Sequence, residues 1–483
     1  MLLTYLIATP FLAALFIALL PASRTRLIEK VIALACGIEL GLGLLLIPHV
    51  LETGKVQASS LFAVDALGSF LMLIISLVGF FVSLYSIGYL RAEVAKGIIG
   101  PRRVRQYFIL FELFLFAMYL AVGTVNPVVM WIAIEATTLA TAFLISFYNK
   151  PSATEAAWKY LLLNSLGLLL GLLGTLMFLA LPEEKSGMLS WNELLTLAPS
   201  MHPLAVKIAF IFVLVGYGTK IGLAPLHSWL PDAHSKAPSP ISALLSGVLL
   251  NVAFFAVLRF KEVADGALLD TFTSQLLIFF GVFSIVVAAL IIFIQKNYKR
   301  LLAYSSIEHM GILALGFGFG GIGIFGALLH MLYHALAKSL LFLLAGNIFL
   351  KYSTTKLKNI SGVGKALPLS GVLFFGGFLM ITGFPPFGIF TSKLLILSAG
   401  TGQFMVLVGV ILFLLALVFF GFFTHVNRIF FGPLPEGMHP GEANLFTQVP
   451  VLLLAALIIV LSWHFPETLD TLIRAAASGF LQK

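Results

Sequence analysis

Glu112, Glu135, Lys220, His330, His334, Lys338 and Lys393 lie deep inside long apolar stretches of the sequence, with Glu39, Lys159, Glu308 and His309 nearer the ends of such stretches. A charge at the centre of a membrane helix costs about 2.5–3.5 kcal/mol on insertion scales, so several in one chain call for a reason. Every one of these groups can take up or release a proton. His330, His334 and Lys338 recur at i, i+4 and i+8, which puts all three on one helical face, in register for a relay. The same spacing argues against a haem between the two histidines, because axial ligands must reach the iron from opposite sides. Glu135, in WIAIEATT, and Lys220 are expected partners, with the carboxylate setting whether the lysine keeps its proton. Lys393, in GIFTSKLLIL, is several residues from either end of its run and would be the outlet. The plain alternatives are structural ion pairs for the charged groups, satisfied core positions for the histidines and snorkelling for Lys393.

The elements that must hold these groups are membrane helices. Hydrophobic residues make up 60% of the 483 and charged ones only 10%, against roughly 25% charged in soluble domains. A spanning helix needs about 20 mostly apolar residues, and fourteen such runs are present, the first at 3–20 and the last at 446–464. The expectation is an all-α polytopic membrane protein forming one membrane domain over 1–483. It divides into N-terminal helices (3–122), two inverted five-helix repeats (107–260 and 272–430), a last helix (446–464) and a short outer tail (465–483). With the N-terminus outside, roughly eighteen basic residues fall in inner loops against seven outside, Lys55, Lys185, Lys207, Arg259, Lys261, Arg474 and Lys483. That bias fixes the orientation and places both termini outside. The N-terminus has no basic segment before its apolar run, which reads as a retained first span.

Two spans look broken. In the seventh (204–227) Gly216, Gly218, Gly222 and Pro225 interrupt the run, and in the twelfth (370–398) GFPPFG does so from Gly383 to Gly388. Such interruptions in corresponding positions of two halves point to an ion pathway between inverted repeats.

Several functions are excluded. Cys36 is the only cysteine, so no disulfide forms within the chain and a cysteine-ligated cluster has no ligands. The nucleotide-binding, metalloprotease and nucleophile-elbow motifs GxxxxGK[ST], HExxH and GxSxG are missing. The net charge of +9 belongs to the loops and calls for no nucleic acid. His227, Asp232 and His234 in HSWLPDAHSKAPSP are expected to be turn residues after the seventh break, with no metal bound there or elsewhere in the chain.

Five ordered strings, YSIGYL from Tyr85, KIGLAPLHSWLPDAHSKAPSPISALLSG from Lys220, RLLAYSSIEHMG from Arg300, HMLYHALAKSLLFLLAGN from His330 and GFPPFGIFTSK ending at Lys393, together resemble the antiporter-like subunits of respiratory complex I, the Mrp cation/proton antiporters and the membrane-bound group 4 hydrogenases. The resemblance spans nearly the whole chain and is strongest to the F-type branch of hydrogenase-4 (formate hydrogenlyase). It implies that Glu135, Lys220, His330, His334, Lys338 and Lys393 serve proton translocation, with no cofactor in this chain. The NiFe centre and iron–sulfur clusters would belong to partner subunits of a hydrogenase or complex I-like assembly. Asn251 stands where many relatives of that family have a lysine. An amide can hold a water but cannot carry a proton charge. The implied function is proton or sodium translocation driven by redox chemistry in the partners. A complex I pump subunit, an Mrp-type antiporter subunit and a non-pumping anchor are the alternatives.

Overall fold

A computed structural model describes residues 1–182 and 190–481; Lys185 and Lys483, expected on the outer side, lie outside them. Thirteen helices among the described residues are long and apolar enough to cross a membrane. They begin with α1 (Leu2–Leu19), α2 (Thr25–Thr53), α3 (Ala66–Ala95), α4 (Pro101–Gly123), α5 (Pro127–Ile145) and α6 (Pro151–Ala180). Between α2 and α3 lies a short two-stranded hairpin, β1 (Lys55–Gln57) and β2 (Ala63–Asp65), in an otherwise all-α polytopic membrane protein, as expected. The short α7 (Trp191–Leu197) leads into α8 (Pro203–Ile221), and α9 (Trp229–Lys236) follows the first break. The next span, Ser239–Leu268, is α10 (Ser239–Leu244) joined by a π turn at Leu245–Leu249 to α11 (Leu250–Leu268). Then come α12 (Phe272–Ile292), α13 (Tyr298–Phe319) and α14 (Ile322–Tyr352). After the four-residue α15 (Val363–Ala366), the remaining expected span is divided into two shorter helices, α16 (Pro368–Thr382) and α17 (Gly388–Gly400). The chain closes with α18 (Met405–Phe431), α19 (Leu445–Trp463) and α20 (Glu467–Ser478).

Local chemistry sets the starts. Proline opens α4, α5, α6, α8 and α16, at a position where its missing N–H goes unused. Asn126 caps α5, accepting from the N–H groups of Val128 and Val129 at 2.9 and 3.0 Å. The outer helices expose Leu12, Leu166, Phe413 and other large apolar side chains, as a bundle facing lipid requires. The core differs. In the apolar windows of Ser239–Leu268, Tyr298–Phe319 and Ile322–Tyr352 every residue is buried, compared with 39% in Leu2–Leu19. Polar groups on those three spans therefore meet other helices.

The structure corrects several boundaries. The seventh span does not break at Gly216 or Gly218, since α8 runs through both to Ile221. Gly216 is a packing residue: a Cβ there would lie 2.2 Å from the backbone N of Gly171 on α6, and small residues let membrane helices approach this closely. The break starts at Gly222, with φ of +79°, and its twin at Gly383, with φ of +84°. In both, two successive N–H groups fold back on the last helical turn, Gly222 and Leu223 onto Gly218, and Gly383 and Phe384 onto Met380 and Leu379. Such left-handed caps suit glycine. Arg102, Arg103 and Arg105, expected in a loop, lie in the first turns of α4, and Arg259 and Lys261 sit within α11, paired with Asp65 and Asp265 at 2.7 Å each. The expected outer tail is instead mostly the amphipathic α20, which buries Leu472, Ile473, Ala476 and Ala477 and packs on α3 and α14.

Candidate functional site

Lys220 sits in the last turn of α8, two residues before the break, and is fully buried. Its Nζ donates to Thr138 Oγ1 on α5 at 2.8 Å and to the Tyr160 hydroxyl on α6 at 2.7 Å, and it lies 4.8 Å from the centre of the Tyr160 ring. Glu135 is one turn from Thr138 on α5. Its Oε2 accepts from Thr138 Oγ1 at 3.4 Å and its Oε1 from Ser165 Oγ at 2.6 Å. The two expected partners are thus joined through one hydroxyl, which accepts from the lysine and donates to the carboxylate; they form no direct ion pair. Trp229 closes the broken end from α9, donating to Thr219 O at 2.8 Å.

Asn251 on α11 is buried just past the π turn. Its Nδ2 donates to Gly247 O at 3.1 Å and Met331 O at 3.4 Å, while Oδ1 has no partner among the described residues. Ser246, inside the π turn, bonds Ser306 on α13 at 2.7 Å. A π turn interrupts the regular backbone ladder and marks functional sites in many helices.

The second cluster joins α13, α14 and α17. His330, His334 and Lys338 share one face of α14, as their spacing requires, and all are fully buried. His330 bonds His309 on α13 at 2.8 Å through Nε2 and Ser392 on α17 at 2.8 Å through Nδ1. The His334 ring lies 5.1 Å from that of His309 and 6.4 Å from that of His330, and its nitrogens have no partner among the described residues. Lys338 donates to Leu302 O at 2.7 Å and to Ser305 Oγ. Lys393 donates to Glu308 Oε1 at 2.9 Å and to Thr382 O, the last residue before the second break, at 3.3 Å. Glu308 Oε2 is 3.9 Å from His309 Nε2.

Glu308 and His309 matter more than their sequence positions suggest. Expected near a span end, they sit in mid-helix on α13, and they connect Lys393 to the histidines. The signal that could have found them is the adjacent Glu–His pair within an apolar run. Thr138, Tyr160, Ser305 and Ser392, which hold the lysines and a histidine, carry no distinguishing sequence pattern.

A third cluster lies apart from these. Cys36 and Glu39 on α2 and Glu112 on α4 are buried, and one ligand atom from each lies within 4.8 Å of the others. Cys36 Sγ donates to Glu112 Oε1 at 3.7 Å, and neither oxygen of Glu39 has a hydrogen-bond partner among the described residues. Glu39, expected near a span end, is central to α2.

Asp232 and His234, expected as turn residues, instead lie in the helix α9, and their side chains have separate surroundings. Asp232 pairs with Arg300 and lies 3.7 Å from Lys159, while His234 stacks on Phe342 at 4.8 Å. Burial, then the charges of Lys299 and Lys338, hold His234 well below the ordinary imidazole range.

Comparison with known proteins places this geometry in a family. Residues 124–424 match the family model described as NADH:quinone oxidoreductase/Mrp antiporter, TM, and residues 50–96 match complex I chain 5 N-terminus. A Hydrogenase-4 component F homolog from Methylacidiphilum infernorum is 41% identical over 350 residues, 71% of this chain and 74% of that protein. The fold matches a chain of the archaeal membrane-bound sulfane sulfur reductase with a TM-score of 0.85 at 25% identity, covering 99% of this chain and 97% of the other. It matches a chain of the Mrp complex from Dietzia sp. with a TM-score of 0.85 at 22% identity, covering 100% and 97%. The chain belongs to the antiporter-like transmembrane family shared by NADH:quinone oxidoreductases and Mrp antiporters.

Proposed function

We propose that this chain translocates protons, or sodium ions in their place, as a membrane subunit of a redox-driven assembly of the membrane-bound hydrogenase or formate hydrogenlyase type. The observation that carries the reading is the placement of two buried lysines beside two helix breaks, each tied to a carboxylate, with buried imidazoles next to the second. Such groups are tolerated inside a membrane bundle when they serve an ion path. A break also frees backbone carbonyls that line polar cavities. In this reading a proton held at Lys220 moves when Glu135 shifts closer to it or farther away. It passes Asn251 on water, reaches Lys338 and the cluster of His334, His309 and His330, and leaves by opening the Glu308–Lys393 pair.

Moving one charge against the membrane potential costs about 2.3 kcal/mol per 100 mV, so partner subunits must supply the energy. The hydrogenase assignment draws on the Hydrogenase-4 component F homolog; in it the NiFe centre and iron–sulfur clusters sit in those partners. The bacterial relative supports a prokaryotic cytoplasmic membrane, and the excess of basic residues in the inner loops supports both termini lying outside it. A second reading, a membrane anchor that moves no ions, is favoured by one residue, Asn251, which cannot carry a proton between the two clusters.

Ion uptake by vesicles containing the purified assembly decides between them. With Lys220→Met, uptake is expected to fall at least about tenfold while electron transfer continues, because the site loses its buried cation and with it a barrier reduction of about 1.4 kcal/mol or more. Wild-type uptake in that variant would leave the anchor reading standing.

A further inference from the structure

Where α12 ends, α13 begins and α18 finishes, the protein carries a cavity of about 780 Å³ lined by Lys296, Arg300, Lys356, Lys358, His425 and Arg428. Among the described residues no Asp or Glu lines it, and of its lysines and arginines Arg300 alone has an acidic partner, Asp232. The wall is built: Leu357 N–H donates to Lys296 O at 3.0 Å, Asn297 Nδ2 donates to Thr355 Oγ1 at 2.8 Å, and His425 Nε2 lies 3.2 Å from Ile292 O. Charge bias between loops explains basic residues scattered along one side of a membrane. It does not explain four of them, Lys296, Lys356, Lys358 and Arg428, gathered around one concave site without an acidic partner among the described residues.

The surroundings identify the ligand. Beside the cations, Phe293, Ile294 and Leu290 at the end of α12 and Phe431 at the end of α18 are exposed, Ile294 to 71% and Phe431 to 65%. A cationic cup beside an apolar surface matches a phosphate headgroup with acyl chains attached, and basic pockets between membrane helices on the inner side suit anionic lipid. We propose that this cavity binds the phosphate headgroup of an anionic phospholipid, with its chains against Ile294 and the adjoining phenylalanines. A soluble phosphate would use the cations and leave the apolar wall unused. An acidic protein segment would need neither that wall nor a lipid-facing position.

The test uses the purified assembly containing the full chain, delipidated in detergent and then offered phosphatidylcholine with or without phosphatidylglycerol, with retained lipid counted by mass spectrometry. The wild type is expected to retain a phosphatidylglycerol that the triple variant Lys356→Gln, Lys358→Gln, Arg428→Gln binds at least about tenfold more weakly, each cation near the surface being worth on the order of a fewfold in affinity. Ile294→Ser is expected to weaken phosphatidylglycerol binding as well, with inorganic phosphate failing to displace the lipid. The proposal is overturned if the triple variant retains phosphatidylglycerol like the wild type. It is equally overturned if inorganic phosphate displaces the lipid and Ile294→Ser has no effect, which identifies a soluble-anion site, or if the triple variant sheds a peripheral subunit while its lipid is unchanged. Electron transfer and ion uptake do not enter this readout, so it stands or falls separately from the translocation reading.

Discussion

At the first break Lys220 is held by the hydroxyls of Thr138 and Tyr160, with Glu135 on the far side of Thr138; at the second, Lys393 touches Glu308 directly at 2.9 Å. Both lysines adjoin a glycine in the left-handed region, yet one ion pair is open and the other closed. A buried ion pair is costly to break because it leaves an uncompensated charge in a low-dielectric site, whereas a lysine shared between neutral hydroxyls has already accepted that cost in part. On the proposed translocation reading, the open site would be the one a partner's electrostatics switch, and the closed one would act as a latch.

Removing each carboxylate should separate the two sites most. Glu308→Gln leaves Lys393 without its counter-charge and is expected to destabilise the protein by about 3–5 kcal/mol, read as thermal unfolding in detergent. Glu135→Gln removes a hydrogen-bonded group that makes no ion pair and should cost about 1 kcal/mol. Adding Lys393→Met to Glu308→Gln should recover part of the loss, while adding Lys220→Met to Glu135→Gln should recover almost none. Equal losses for the two glutamates would erase the distinction between open and closed sites.

A smaller effect sharpens the open site. Thr138→Val keeps the shape and removes the hydroxyl that links Lys220 to Glu135, at a stability cost of about 1 kcal/mol. Ion uptake should fall about tenfold at unchanged electron transfer, a barrier increase of about 1.4 kcal/mol, since the carboxylate then loses its line to the lysine. Uptake at the wild-type rate would mean that Glu135 acts on Lys220 across space alone.

Stability should also depend on pH. Because burial and the two nearby lysines keep His234 uncharged in the folded chain, the unfolded chain binds a proton there that the folded one refuses as pH falls below about 6.5. Stability contributed by the neutral form is then lost toward acid pH, by at most about 1.4 kcal/mol per pH unit. His234→Gln should flatten the acid limb of the stability profile, and an unchanged limb would show that His234 takes up its proton in place.

Much of this is legible in the sequence because the bilayer imposes strict rules. A run of about 20 apolar residues has few readings, and a lysine or histidine inside one stands out whatever surrounds it. Hence Lys220, Lys393 and the face shared by His330, His334 and Lys338 are visible from spacing. Tertiary facts are not. Gly216 reads as a helix breaker because periodicity cannot show that Gly171 of α6 lies against it. Glu308 and His309 read as peripheral because hydropathy places a span boundary only to within a few residues. Cys36, Glu39 and Glu112 come together across two helices, and nothing in their separation along the chain announces it. The hydroxyls around Lys220 are ordinary residues until the fold aims them.

If ions pass between the open and closed sites, their path crosses a polar gap at Asn251, whose Oδ1 is buried and unpartnered among the described residues. An experimental density map sharp enough to show water tests it. The expected result is ordered water on Asn251 Oδ1, continued by others toward Lys220 on one side and toward Lys338 and His334 on the other. A dry gap sealed by apolar side chains between Lys220 and Lys338 would rule that passage out.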